Sequence, residues 1–189
     1  MGIGPRRPEW PEAEFIVGNP PFIGASRMRE ALGDGYAEAL RAAYPKMPES
    51  ADFVMFWWEK AALATRAGKT RRFGFITTNS LRQAFNRQVL EPHLADPKKP
   101  LSLTFAIPDH PWVDAGEGAA VRIAMTVAAP GSLPGRLFTV TDERRSEREA
   151  EGRPVTLSGE VGKIHANLRI GADVTVGHKA ILHGCTVGD

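Results

Sequence analysis

Cysteine is almost missing from this chain: Cys185 stands alone among 189 residues. A lone cysteine excludes an internal disulfide and suits a reducing compartment. Long hydrophobic runs are missing too. No stretch approaches the roughly 18–20 consecutive apolar residues of a membrane-spanning helix, and the first residues hold no apolar signal core. The expectation is a cytoplasmic protein without a membrane partner. Charge of one sign is also lacking, since 24 Lys and Arg stand against 22 Asp and Glu for a net +2. That balance permits a nucleic-acid partner without requiring one. What remains is 42% hydrophobic, enough for one ordinary domain, or one domain and an appendage.

The most informative stretch is Phe15-Ile16-Val17-Gly18-Asn19-Pro20-Pro21-Phe22. An apolar run rich in β-formers, stopped by Gly-Asn and two prolines, reads as a buried strand ending in a rigid loop. Each proline holds its own φ near about −65° and lacks an N–H, and the residue before it is pushed to an extended conformation. The Asn19 side-chain oxygen and the Pro20 carbonyl are then two fixed acceptors, which suit an amino group with two hydrogens. Phe22 adds a flat face on which a base can stack, worth roughly 1–3 kcal/mol. By themselves the four loop residues also fit a plain strand closed by a Pro-Pro turn.

Asn19-Pro20-Pro21-Phe22 after a hydrophobic strand resembles the catalytic motif of amino-directed DNA methyltransferases, chiefly the adenine-N6 enzymes of the single-chain restriction-modification type. The resemblance implies S-adenosyl-L-methionine as cofactor and DNA as partner. It also implies a target base flipped from the duplex, its amine held by Asn19 and Pro20 and its ring stacked on Phe22, with Pro21 fixing the loop. Cytosine-N4 is the other amine that such a clamp fits.

The rest of the chain supports an α/β fold. Residues 1–12 hold three prolines, Arg6 and Arg7, and no period, so an extended lead-in is expected. Only 18 residues precede Asn19. In enzymes with this motif order the Gly-rich cofactor turn lies upstream, so residues 13–130 are expected to be the catalytic half, truncated at the N-terminus. Another polypeptide would then supply the cofactor half, and the chain alone would be inactive. Ser26 is a plausible N-cap for a helix to about Tyr44, interrupted at Gly33 and Gly35, and Ser50 for a helix over 51–67 stopped by Gly68. The family resemblance places Asp52 and Phe53, at that second helix's start, beside the cofactor, together with Asn19.

Arg71–Ser80 reads as a second buried strand breaking into a polar turn, with Ser80 a cap for a helix over about 81–90. Residues 101–107 and 119–129 read as further strands, the latter alternating Val121, Ile123, Met125 and Val127. Helix and strand runs that alternate in this way predict a partial doubly wound, Rossmann-like methyltransferase sheet. The loop 107–118 between the last two strands falls where such sheets put ligands. Trp112 there reads equally as a base-stacking or a core residue. His110, beside Asp109, reads as a hydrogen-bonded loop histidine, and the resemblance places both His110 and Trp112 near the DNA.

From Pro130 the composition changes. Residues 131–169 are expected to be a linker and the start of a DNA-recognition region, with a short strand at 137–140 and a mixed-charge stretch at 142–152. Residues 159–175 again resemble the restriction-modification enzymes. Residues 170–189 instead show an apolar residue every six, the period of a parallel β-helix, and resemble gamma-class carbonic anhydrase-like proteins. That resemblance implies His178 and His183 as zinc ligands, but two histidines fall short of the three or four a zinc site needs. The expected tail is therefore β-helix-like without a metal site. Two other functions stay open: a non-catalytic nucleic-acid-binding remnant, and a zinc-dependent carbonic anhydrase-like activity.

Overall fold

Residues 15–18 do form a strand, and it is the edge of one open sheet. A computed structural model describes residues 4–112, 121–143 and 155–171. The elements are β1 (Phe15–Gly18), α1 (Met28–Leu32), α2 (Asp34–Ala43), α3 (Val54–Arg66), β2 (Arg72–Thr78), α4 (Ala84–Leu94), β3 (Leu101–Pro111), β4 (Arg122–Pro130), β5 (Gly135–Glu143) and β6 (Val155–Gly162). The six strands run in the order β1-β2-β4-β3-β5-β6.

β1 and β2 are parallel, with Phe15 opposite Arg72 and Gly18 opposite Phe75. Their connection contains α3, the crossover that parallel neighbours require. β4 runs antiparallel to both β2 and β3. No helix separates β3 from β4 among the described residues, so the two pair as neighbours of opposite direction. The sheet is thus open and mixed, as many doubly wound sheets are.

Packing explains which rows point inward. α3 buries Val54, Met55, Trp58, Ala61 and Ala62, and α4 buries Val89 and Leu90. These meet Phe73 and Phe75 of β2 and the small Ala124 and Ala128 of β4 in one core cluster. Trp58 is fully buried, its ring edge-on to Phe73 at 5.2 Å. Small side chains on β4 let the helices close on the sheet. The other row of β4, Met125 and Val127, is only half-buried and joins Phe15, Val17, Gly74 and Ile76 around an apolar groove of about 590 Å3. Val17 is 84% exposed.

The first helical region is split at Gly33, which has φ +81°, a conformation that glycine adopts without steric cost. α1 and α2 form a second small core in which Met28 and Tyr44 pack with Phe53 and Phe56. Neither Ser26 nor Ser50 caps a helix: the first α-helix starts after Arg27 and α3 after Phe53, both without side-chain caps. α4 likewise starts after Gln83, not Ser80.

Beyond Pro130, β5 is longer than the strand at 137–140 and pairs in parallel with β3 and antiparallel with β6. β6 is an exposed edge strand. Ile164, Ala166 and Leu168 then turn back into the main core, and Ile164 bridges both Leu103 and Ile170. The hexad-period tail from residue 172, including His178 and His183, lies outside the described residues, as do loop residues 113–120.

Candidate functional site

The Asn19–Phe22 loop leaves the carboxyl end of β1, at the same end of the sheet where β2 runs out into Asn79 and Ser80. Pro20 is buried, whereas Asn19 and Pro21 are exposed and Phe22 half-buried. Neither the Asn19 side chain nor the Pro20 carbonyl is engaged in a hydrogen bond among the described residues, so both acceptors are available. Beside them lies a groove of about 490 Å3, lined by Trp10, Trp57 and Phe75 as well as Asn19 and Pro20. Trp10 is itself held in place, with the Lys60 ammonium 4.2 Å from its ring centre.

Phe22 does not stand alone. The Trp112 ring lies edge-on to it, 6.4 Å between centroids at 79°. Trp112 follows the end of β3, and its N–H donates to the Val121 carbonyl at 2.8 Å. It is half-buried, at the loop rather than in the main core. His110 lies within β3, opposite Ile123 of β4, so the strand runs on to Pro111, past residue 107 where a loop is expected.

The loop's downstream side is anchored to α3. The Phe53 N–H donates to the Ile23 carbonyl at 2.9 Å, and the Ala25 N–H to Asp52 Oδ1 at 3.2 Å. Asp52 Oδ2 accepts from Ser80 Oγ and from Asn86 Nδ2, each at 2.8 Å. Asn86, fully buried in α4, returns the contact by accepting the Asp52 N–H through Oδ1 at 3.0 Å. A second carboxylate anchors the opposite side. Asp109 accepts from Arg122 Nε at 2.6 Å and Asn79 Nδ2 at 3.1 Å, with Arg82 at 3.6 Å. The Arg122 hydrogen bond, helped by Asn79, holds the Asp109 carboxyl below the usual aspartate range.

Residues 5–138 match the family model for the DNA-methyltransferase domain of MmeI. The chain belongs to this family. The solved structure of the type IIL restriction-modification enzyme MmeI in complex with DNA is similar to it, with a TM-score of 0.60 and 25% identity over 85% of this chain. The match covers 20% of that enzyme's chain, so the present chain spans about a fifth of its length. No curated protein matches.

For an MmeI-type methyltransferase domain, the implied cofactor is S-adenosyl-L-methionine, and the donor set can be tested against it. Both Asp52 oxygens are already taken by Ala25, Ser80 and Asn86, and Phe53 is 4% exposed within the second core. Asp52 also lines an open groove with Gly24, Ser26 and Phe85. Of the three cofactor candidates Asn19 is exposed, Asp52 half-buried and Phe53 buried. Ser80 and Asn86 escaped the sequence reading. Ser80 looked like a helix cap, and a single Asn within a helical stretch carries no local sign of its burial.

Proposed function

We propose that this chain carries the target-base half of an S-adenosyl-L-methionine-dependent DNA methyltransferase acting on the N6 amine of adenine. The observation that carries the reading is the pair of available acceptors, the Asn19 side chain and the Pro20 carbonyl, next to the Phe22–Trp112 aromatic pair. A flipped adenine offers an amine with two hydrogens and a flat ring, and these four groups match it. Asn19 and Pro20 accept the two N–H bonds and fix the amine. Drawing on its hydrogens makes the nitrogen lone pair more available, an electrostatic and positioning contribution. Phe22 and Trp112 bound the base on its apolar side. Pro21, with no N–H, keeps a competing donor away from the acceptors.

The cofactor supplies the methyl group when bound. A second polypeptide segment that supplies its binding half is part of this proposal. β1 has a single strand neighbour among the described residues, and its other edge is a template for strand addition.

The test is methyl transfer to duplex DNA from labelled cofactor by this chain joined to its cofactor half, with the methylated base identified by mass after hydrolysis. N6-methyladenine is expected, and Asn19→Ala should lower the rate about a hundredfold, the scale of losing one preorganised electrostatic partner. N4-methylcytosine would move the target to the other amine, and methylation unchanged by Asn19→Ala would overturn the assignment.

A further inference from the structure

Asn79 and Ser80 are adjacent in the turn after β2, and their side chains reach in two directions. Ser80 Oγ donates to Asp52 at 2.8 Å, and Asp52 holds the Ala25 N–H three residues beyond Phe22. Asn79 Nδ2 donates to Asp109 at 3.1 Å, three residues before Trp112. Phe22 and Trp112 belong to different strand ends, β1 and β3, and these strands are not neighbours in the sheet. The turn between them is therefore the element to which both arms are fastened.

We infer that Asn79 and Ser80 are positioning residues that set the gap between Phe22 and Trp112, and with it the opening that admits the target base. The turn is suited to this. Asn86 Nδ2 bonds the Ser80 carbonyl at 3.1 Å and Ser80 Oγ at 3.2 Å, and Thr78 Oγ1 lies 2.6 Å from the same hydroxyl. Ser80 Oγ thus cannot rotate away without breaking its contacts with Asp52, Thr78 and the fully buried Asn86. The Asp109 arm is stiffened by Arg122 and Arg82. Each arm has one hydrogen bond to the turn, so each can be loosened separately. The inference rests on the methyltransferase reading for its purpose, but its geometry can be tested without it.

The experiment uses the full chain and follows two signals. One is the Trp112 indole N–H resonance, identified by its loss in Trp112→Phe. The other is hydrogen exchange at the Ala25 amide. Asn79→Ala should move the Trp112 resonance and leave Ala25 exchange unchanged. Ser80→Ala should speed Ala25 exchange about tenfold and leave Trp112 unchanged. Should Asn79→Ala fail to fold, Asn79→Ser, too short to span the distance to Asp109, carries the same expectation.

In methyl transfer, each variant should lower kcat about tenfold while KM for DNA stays within about threefold, as expected for misplacement of a bound group. Ser80→Thr, which keeps the hydroxyl, should recover most of the loss. Unmoved resonance and exchange in both variants would overturn the inference, as would a kcat loss no larger than the loss of folded protein. Variants that give the expected resonance and exchange responses, beside a wild-type chain joined by its cofactor half that transfers no methyl group, would overturn the proposed function, not the geometry.

Discussion

Asn86 and Asp52 hold each other through two hydrogen bonds: Asn86 Nδ2 donates to Asp52 Oδ2 at 2.8 Å and Asn86 Oδ1 accepts the Asp52 N–H at 3.0 Å. This pairing joins the start of α3 to α4 and closes the back of the target-base loop. Asn86 is fully buried, so its amide depends on protein partners in place of water.

Asn86→Ala should therefore destabilise the protein by about 1–3 kcal/mol, the cost of leaving a buried donor and acceptor unpaired. Asn86→Asp should be at least as damaging at neutral pH, because it sets a second carboxylate against Asp52. Thermal unfolding of the three proteins at pH 7 checks both, and an Asn86→Asp protein as stable as wild type would refute the account.

Removing the aromatic face should act on DNA binding and not on the fold. Phe22→Ala is expected to weaken binding to a duplex carrying a mismatched target adenine by about 1–3 kcal/mol, the worth of one base stack, which is roughly five- to 150-fold. A duplex with an abasic site at the same position has no base to stack, so there the difference should vanish. Equal losses on both duplexes would place Phe22 elsewhere in the interface.

The Asp109 contacts give a pH dependence of defined sign. Its folded-state pKa is lowered, first by the Arg122 hydrogen bond and then by Asn79. Its contribution is therefore complete above the unfolded value of about 4 and is lost as pH falls through the folded value. The Tm difference between wild type and Asp109→Asn should be greatest above about pH 5 and close as the pH falls well below 4. A difference that stays constant across that range would show that Asp109 acts through shape alone.

Gly135 marks a place where backbones meet. A Cβ there would clash with the Leu103 carbonyl oxygen and lie 2.7 Å from Ile164 Cδ1. Gly135→Ala must push β5 from β3 and disturb the Ile164 bridge. A loss of about 1–3 kcal/mol, the usual cost of overpacking, is expected in denaturant unfolding. A neutral result would mean that β5 docks more loosely than its close approach implies.

The amino-acid sequence by itself determined the catalytic-looking loop and most of the elements around it. Asn19–Phe22 was legible because two prolines restrict the backbone locally, whatever surrounds them. β1, β2, α3 and the two strands after α4 were legible because apolar periodicity reports burial on one face. Gly33 and Gly68 showed their breaks because positive φ is a local demand. Tertiary structure decided what depends on distant partners. Ser26, Ser50 and Ser80 all looked like caps, but a cap needs a free helix end, and Ser80 is instead claimed by Asp52. That Asn86 of α4 packs against Asp52 likewise has no local sign in the sequence. β6 carries little inward-facing signal because it lies exposed at the sheet edge, and the direction of β4 follows from its direct pairing with β3. The approach of Trp112 to Phe22 joins residues 90 positions apart in sequence, a contact made by strand order and two anchoring carboxylates, to which neighbouring residues hold no clue.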